Sequence, residues 1–384
     1  MRGVTIRVHR SVRDAEADLE APGLAGYAFG RFAWIEAWQD TLGASTGTEP
    51  AIVVVADARV RMVLPLGIAR RNGLRVLEFL GGNVTDYNAP NVEPAFARGL
   101  DAASVQALWQ LIRAALPPHD AVHLLRMPAT LDPPEEDGAE RVPNPLVSLP
   151  GVRAAGHARS VTLPDSYAKL TGAMRPRFVA DTQRRYRRLN EVGPVALVVA
   201  EGEAAMQDVL SGLKPMKSRR WRETKARDWF ATSAFAGFYD TMARMRLPEG
   251  RIHGSSLTVS GIPVASHLGL VYRGRFYLLL LGWESDEWQR FSTGRLVVDA
   301  LLKNAIEESL RVFDFTVGDE AYKDEWVDTQ LPLFRFDSAV TARGRLASIV
   351  ADLRDRLRAR AKRVTWLRGL IRKLAGRAPR PPIR

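Results

Sequence analysis

The sequence predicts an α/β protein built from two units and followed by a basic, amphipathic C-terminal helix. Three observations support that fold class. Residues 254–326 alternate apolar runs and glycine turns in the order strand, strand, strand, helix, strand. Residues 1–150 form one further unit of short strands and helices. The 384-residue chain is 46% hydrophobic, so it is long enough and apolar enough to bury two ordinary cores.

The stretch 254–326 is the best-defined part of the sequence. Four apolar runs predict strands, and glycine-containing pairs link the first three into hairpins: residues 255–259, 263–272, 275–282 and 312–315. Residues 276–281 are apolar without interruption, which is typical of a central strand buried on both faces. A helix with apolar residues at three- and four-residue spacing follows from Thr293.

The start of that helix predicts an anion site. A strand that leads through a glycine turn into a helix leaves backbone N–H groups unpaired at the positive end of the helix dipole. Ser292, Thr293 and Gly294 supply the turn, while Arg290 and Arg295 add charge. The arrangement suits a pyrophosphate. An ordinary capped surface helix is the alternative.

Secondary-structure patterning elsewhere gives further expectations. The pattern predicts a single strand over residues 60–69 and helices over 175–192, 202–217 and 228–246. Arg220 and Trp221 fall in the loop expected between the last two helices. Helix 175–192 is rich in arginine, which indicates either a solvated face or a rim that gathers a phosphate-bearing ligand.

Three motifs together resemble one family. They are the hairpin 272–277, the turn 291–296, and residues 318–326 after the strand ending at Phe315. In this order they resemble the GNAT acyltransferase superfamily, and more specifically the cellulose-biosynthesis-associated acetyltransferases, which are relatives of the Fem aminoacyl-transferases. The last motif is close to that family's glycine-aspartate-glutamate-proline-tyrosine-lysine signature. Thr293 and Ala321 stand where the family usually has proline.

The resemblance implies an architecture and a reaction. Two GNAT-like halves are expected at 1–155 and 156–340, with a basic tail at 341–384. The C-terminal half would hold acetyl-CoA or another acyl-CoA as the acyl donor, without a metal. The acceptor would be an amine or hydroxyl of an envelope, exopolysaccharide or cellulose-related saccharide, free or lipid-linked. Two alternatives remain: aminoacyl transfer from charged tRNA, as in the Fem relatives, and a non-catalytic scaffold in a polysaccharide-synthase complex.

Four residues are candidates for catalysis. Asp319 or Glu320, at a strand end beside Gly318, is the candidate general base. The resemblance implies Tyr322 as the acid for the leaving thiolate, by analogy with a tyrosine in many GNATs. An ion-paired loop brace that includes Lys323 is the alternative role for the two carboxylates. His267, on the predicted strand 263–272, faces either the core or an acceptor channel and is the leading catalytic histidine.

Five residues are candidate substrate contacts. Asp86 and Tyr87 belong to a polar glycine-glycine loop at a strand end, where function is often found, although turn formation alone explains such residues too. Arg220 and Trp221 match an arginine-tryptophan pair of the family, suited to adenine or acceptor binding or to anchoring a loop. Lys323 completes the set.

The charge distribution and residue counts limit partners and location. Residues 341–384 hold fourteen Lys/Arg against two Asp/Glu, which accounts for the whole net charge of +12. The body is therefore near neutral, and no DNA partner is expected; tRNA enters only under the alternative. The tail's apolar stripe predicts either attachment to an anionic membrane or packing on its own domain. Without cysteine, a signal core or an apolar span, we expect a cytoplasmic protein, and six scattered histidines predict no metal site.

Overall fold

The computed structural model describes residues 3–134, 140–318 and 321–350. The strands of the N-terminal half are β1 (Thr5–His9), β2 (Glu49–Pro50), β3 (Ile52–Ala56), β4 (Val60–Leu64), β5 (Leu66–Arg71), β6 (Leu74–Phe79), β7 (Asn91–Val92), β8 (Ala121–Pro128), β9 (Thr130–Leu131) and β10 (Val142–Pro143). Its helices are α1 (Glu16–Leu19), α2 (Phe32–Trp38), α3 (Pro94–Arg98) and α4 (Ala102–Ala115).

The C-terminal half begins with a long strand and carries the longer helices. Its strands are β11 (Arg153–Thr162), β12 (Val195–Val199), β13 (Gly250–Val259), β14 (Ile262–Tyr272), β15 (Arg275–Trp283), β16 (Val312–Val317) and β17 (Thr329–Ala339). Its helices are α5 (Tyr167–Ala173), α6 (Pro176–Asn190), α7 (Gly202–Glu223), α8 (Ser233–Met242) and α9 (Thr293–Glu307).

One eleven-stranded sheet runs through both halves in the order β12-β13-β14-β15-β16-β11-β17-β8-β6-β5-β2. Strand β17 pairs antiparallel with β11 on one side and with β8 on the other, so the halves share a continuous hydrogen-bonded ladder. A four-stranded sheet β1-β3-β4-β7 and the pair β10-β9 complete the described strands. The expected boundary after residue 155 falls inside β11 and stays a prediction.

Each half contains one parallel strand pair in this sheet. In the N-terminal half β6 and β8 are parallel, and the connection between them includes α4. In the C-terminal half β15 and β16 are parallel and α9 connects them. The two halves are therefore built alike, and the predicted α/β fold class is confirmed.

Two hydrophobic clusters cover the two faces of the sheet in the C-terminal half. Successive residues of a strand point to opposite faces, and β15 shows this directly. Tyr277 faces the cluster that holds α7, α8 and the N-terminal half, whereas Phe276 faces the cluster beneath α9. We call these the interdomain face and the α9 face.

The expectation of one strand over 60–69 is wrong. The run breaks at Pro65 into β4, which joins the four-stranded sheet, and β5, which joins the eleven-stranded one. Proline has no N–H to donate to a ladder, and the Pro65 carbonyl instead accepts the backbone N–H of Leu80 at 2.9 Å. The chain can therefore change sheets at this residue.

The expected loop around Arg220 and Trp221 is also wrong, since α7 continues to Glu223. Its buried face repeats through Leu210, Leu213 and Met216, and the following basic residues lie on the turns beyond. Lysine and arginine are good helix formers, so they do not end a helix. The predicted helix 228–246 is shorter than expected, a 3-10 turn followed by α8.

Residues 342–350 are helical, as the amphipathic tail pattern predicts. The first members of its apolar stripe, Leu346 and Ile349, are 65% and 64% exposed. They therefore do not pack on the described body of the protein. The rest of the predicted tail, 351–384, lies outside the described residues. Across the parts of the chain that are described, no helix combines the length and hydropathy required to cross a bilayer.

Candidate active site

The central parallel strands open into a wedge. Pairing between β15 and β16 runs through only three residue pairs and ends at Tyr277 and Asp314. Both strands are irregular there: one extra residue enters β15 between Tyr277 and Leu280, and β16 shifts register beside Thr316, whose φ is 58°. Bulges bend a strand locally. Beyond the vertex, the edge of β15 that faced β16 is free of ladder pairing in the described structure.

A buried charge network fixes the vertex of the wedge. Asp314 is 1% exposed, and its Oδ1 accepts the Tyr87 hydroxyl at 2.7 Å and the Thr316 N–H at 2.7 Å. Its Oδ2 pairs with Arg275 at 3.1 Å, and Arg275 also donates to both oxygens of Asp132. Burial raises the pKa of Asp314 despite this arginine. Tyr87, a predicted substrate contact, therefore holds Asp314 in place across the two halves.

Asp86 reaches this region from the N-terminal half. It follows β6 in a loop that begins at Gly81, where φ is 111°, a conformation that favours glycine. Its side chain is 18% exposed, and burial raises its pKa to about 6, although Arg126 at 3.4 Å and a hydrogen bond from Thr316 oppose the shift. Asp86 is therefore a largely buried carboxyl group whose pKa, about 6, lies above its usual value.

Of the signature residues after β16, Lys323 is the one whose described side chain lies near Asp86. Lys323 is 4% exposed; its amine donates to the carbonyl of Phe315 at 3.0 Å and lowers the pKa of Asp86 through its charge. Asp319 and Glu320 lie outside the described residues, as does the side chain of Tyr322. Their catalytic roles stay predictions.

The predicted anion site lies at the N-terminus of α9. Ser292 adopts a left-handed conformation there, and the N–H groups of Thr293 and Gly294 have no backbone acceptor among the described residues. A Cβ on Gly294 would lie 2.8 Å from the ring of Trp283, so glycine permits this close approach. The exposed Arg290 guanidinium stacks on Phe291, 4.7 Å from its centroid. The turn thus presents unpaired donors and positive charge, as an anion site needs.

Helix α6 supplies an arginine that the turn motif did not reveal. Arg185 donates to the Ser292 hydroxyl at 2.8 Å and to the Arg290 carbonyl at 3.3 Å. Arg295 points elsewhere: it pairs with Asp181 at 2.8 Å and stacks on Phe178 at 3.7 Å. The arginine-rich pattern of α6 was the available signal, but the contact joins residues more than one hundred positions apart.

Arg220 and Trp221 point in different directions from α7. The Arg220 guanidinium lies 5.6 Å from the ring of Trp283, which also contacts the anion turn at Gly294. Trp221 instead packs against Phe230, with ring centroids 5.6 Å apart, at the edge of the core. Of this predicted pair, only Arg220 lies next to the anion turn.

His267 lies on the α9 face, in the core. It is fully buried and stacks on Phe276, and both of its ring nitrogens lack a hydrogen-bond partner among the described residues. Burial holds its pKa well below the usual value. Because Asp86 contacts the interdomain face, the structure does not bring His267 together with it. Within the described ranges, no group of three or more His, Asp or Glu is placed to hold a metal ion.

Comparisons with known proteins agree with this geometry. Residues 176–324 match a family described as the acetyltransferase (GNAT) domain. The crystal structure of FemX aligns with a TM-score of 0.57 at 12% identity, over 88% of this chain and 97% of that one. A conserved protein of unknown function from Bacteroides thetaiotaomicron aligns at 0.52 and 12%, over 88% and 100%. A tandem GNAT protein from the clavulanic acid biosynthesis pathway aligns at 0.42 and 12%, over 88% and 99%. No curated protein sequence matches the chain.

The first two structural likenesses establish a shared fold, and they extend over both halves of the chain. The family match covers the wedge, the anion turn and part of the following signature. These findings confirm the predicted α/β fold class, and the family match assigns a GNAT domain to the C-terminal half.

Proposed function

We propose that the chain, whose residues 176–324 match the acetyltransferase (GNAT) domain, transfers an acyl group from acyl-CoA to an amine or hydroxyl of an envelope or exopolysaccharide saccharide. The observation that carries this proposal is the position of Asp86. The largely buried Asp86, from the N-terminal half, lies beside the wedge between β15 and β16 of the C-terminal half and is in contact with Thr316. A general base needs a pKa near the operating pH, and Asp86 has one.

The donor fits the wedge and the anion turn. Trp283 at the turn lies six positions after Tyr277 at the vertex, which is about 20 Å at the rise of a strand. An extended arm can lie along that free edge, with its thioester carbonyl near the vertex and its pyrophosphate at Thr293 and Gly294. Arg185 and Arg290 then supply the counter-charge.

The reaction needs three things from the protein. The acceptor's nitrogen or oxygen attacks the thioester carbonyl carbon while its proton passes to Asp86. A backbone N–H at the edge of β15 stabilises the oxyanion that forms. The carbon–sulfur bond then breaks, and the thiolate takes a proton from Tyr322, the acid that the family resemblance implies.

Donor identity is the first test. Thermal unfolding of the full chain is measured with acetyl-CoA, longer acyl-CoAs, free CoA and a charged tRNA, because a ligand that binds the folded state raises the melting temperature. We expect the acyl-CoAs to stabilise the protein and the charged tRNA to leave it unchanged. If charged tRNA alone stabilises the protein, the reaction is aminoacyl transfer and not acyl transfer from acyl-CoA. No response to any donor would favour a scaffold.

Three variants test which residues act as the base and the acid. CoA release with saccharide amines as acceptors is measured for Asp86→Asn, Glu320→Gln and Tyr322→Phe. We expect Asp86→Asn and Tyr322→Phe to lose kcat, and Glu320→Gln to keep it if that residue only braces its loop. The reverse pattern for the two carboxylic residues would assign the base to Glu320.

We also propose that the protein works at the cytoplasmic face of a membrane, where lipid-linked saccharides are available. The exposed Leu346 and Ile349 support this, because their apolar stripe continues in sequence into the strongly basic tail. A basic residue near an anionic leaflet contributes about 1 kcal/mol. Flotation with anionic liposomes should carry the full chain, but not a chain ending at Ala342. Equal behaviour of the two would contradict the proposal.

A further inference from the structure

A second cleft lies on the α9 face, away from the acyl-transfer site. It has a volume of about 630 Å³ and is bounded by α5, α6, α9 and strand β12. Strands β13 and β14 separate β12 from β15 in the sheet, so the cleft lies about 14 Å across the strands from the wedge. Small-molecule sites commonly have volumes of about 300–1,000 Å³. The size of this cleft is thus that of a ligand site.

A buried carboxylate with too few donors lines this cleft. Asp299, in the middle of α9, is 7% exposed. The Tyr167 hydroxyl lies 2.7 and 2.8 Å from its two oxygens, and no other donor within hydrogen-bond distance is found among the described residues. One hydroxyl has one hydrogen, so it can donate to only one oxygen at a time. The other carboxylate oxygen is left without a donor.

Nearby cations do not fill that deficit. Lys303, one turn along α9, pairs with Glu307 at 3.8 Å. Arg295 pairs with Asp181 at 2.8 Å and stacks on Phe178 at 3.7 Å. Burial accordingly raises the pKa of Asp299, even with these two charges in its surroundings. No cation among the described residues forms an ion pair with Asp299 where it meets the cleft.

The other side chains that line the cleft are suited to contact with the apolar part of a ligand. Met174, Phe178 and Leu257 line the cleft together with the ring of Tyr186, whose hydroxyl is already bonded to the Leu296 carbonyl at 2.7 Å. A ligand that covers these side chains gains from their removal from water. Asp299 has already lost its hydration on folding. A cationic ligand would therefore be attracted to this carboxylate without a further cost for removing water from it.

We propose that this cleft is a binding site for a small organic ammonium compound. The ammonium nitrogen donates to the free oxygen of Asp299, and the apolar part of the ligand lies against Phe178, Met174 and Leu257. The proposal does not depend on acyl transfer, since no residue of the wedge or the anion turn takes part. A purely structural brace between Tyr167 and Asp299 predicts no ligand at all.

The test uses three probes of nearly equal shape: tryptamine, which is cationic, 3-ethylindole, which is neutral, and indole-3-propionate, which is anionic. Binding to the full-length protein is measured by calorimetry and by ligand-observed NMR at pH 7.5. We expect tryptamine to bind at least about tenfold more tightly than the other two, because hydrogen bonds between charged groups are the strong ones. Equal binding of the three probes, or none up to millimolar concentration, would overturn the proposal.

Variants locate the site. Asp299→Asn keeps the shape and removes the charge, so it should abolish the preference for tryptamine over 3-ethylindole. Asp165→Asn is the matched control, because Asp165 is exposed, pairs with Lys169 and lies outside the cleft. Ala300→Trp fills the cleft and leaves the carboxylate, so it should abolish binding of both probes even if Asp299→Asn fails to fold. Unchanged tryptamine binding in Ala300→Trp would contradict the proposal.

Discussion

Replacing Asp86 by asparagine should lower activity and raise stability together. The variant keeps the shape of the side chain and removes the proton acceptor. General-base catalysis typically contributes about 10²–10⁴-fold, so we expect kcat to fall by that range. In the wild type, with a pKa of about 6, about a tenth of the molecules carry the ionised base at pH 5 and about nine tenths at pH 7. Activity should rise accordingly over that interval.

The stability change has the opposite sign. The folded chain binds a proton at Asp86 more tightly than the unfolded chain, because burial raises the pKa from 3.8 to about 6. Stability therefore falls as pH rises from about 4 to 6 and stays level above that. Two pKa units correspond to about 3 kcal/mol at most, and the opposing attraction to Arg126 is already included in that shift. We therefore expect Asp86→Asn to be more stable than wild type by up to about 3 kcal/mol at pH 7.5.

Two measurements check this pair of expectations. Urea unfolding at pH 4 and pH 7.5 gives the stability difference, and pH–rate profiles give the kinetic one. At pH 4 the stability gain should largely vanish, because the wild-type carboxyl is then mostly protonated when folded. Asp57→Asn is the control, since Arg61 lowers the pKa of Asp57 and its removal should not stabilise the protein. An Asp86→Asn protein that is less stable at pH 7.5, or fully active, would refute the reasoning.

Three other substitutions test the site and its support. Gly294→Ala should raise KM for acyl-CoA and lower the melting temperature slightly. The added methyl group overpacks against Trp283, which costs about 1–3 kcal/mol of stability. The higher helix propensity of alanine offsets about 1 kcal/mol of that cost. Arg185→Gln should weaken acyl-CoA binding about five- to thirtyfold with kcat little changed, as measured by calorimetry and initial rates. Asp132→Asn should destabilise the chain by about 3–5 kcal/mol in urea unfolding, because it leaves the buried Arg275 short of a partner.

Secondary structure could be predicted from the sequence where the local pattern alone determines it. The strands and helix of residues 254–326 were predictable because their apolar periods and glycine turns are local signals. The change of sheet at Pro65 was not, since sheet membership depends on pairing with distant strands. The end of α7 was misplaced because basic residues after an apolar period look like a loop, although they can as well cover an exposed helix turn.

In the candidate site, too, features set by neighbouring residues could be predicted, whereas contacts between distant residues could not. The turn at Ser292 could be predicted from its own residues, but its contact with Arg185 could not. Asp86 was a candidate because of its loop, yet its raised pKa depends on burial beside Thr316, 230 positions further on. The face on which His267 lies could not be read from its strand, because the register shift between β14 and β15 is invisible to composition.

The shared ladder through β17 has a consequence for dissecting this protein. A fragment limited to the family match at 176–324 would lack β11, β17 and the entire N-terminal half. Strand β16 would then be an unprotected edge with Phe313 and Phe315 beside it, the kind of edge that recruits other chains into aggregates. Such a fragment would also lack Asp86. We therefore expect the two halves to fold only together, and the proposed reaction needs both, because its donor site lies in the C-terminal half and Asp86 in the N-terminal half.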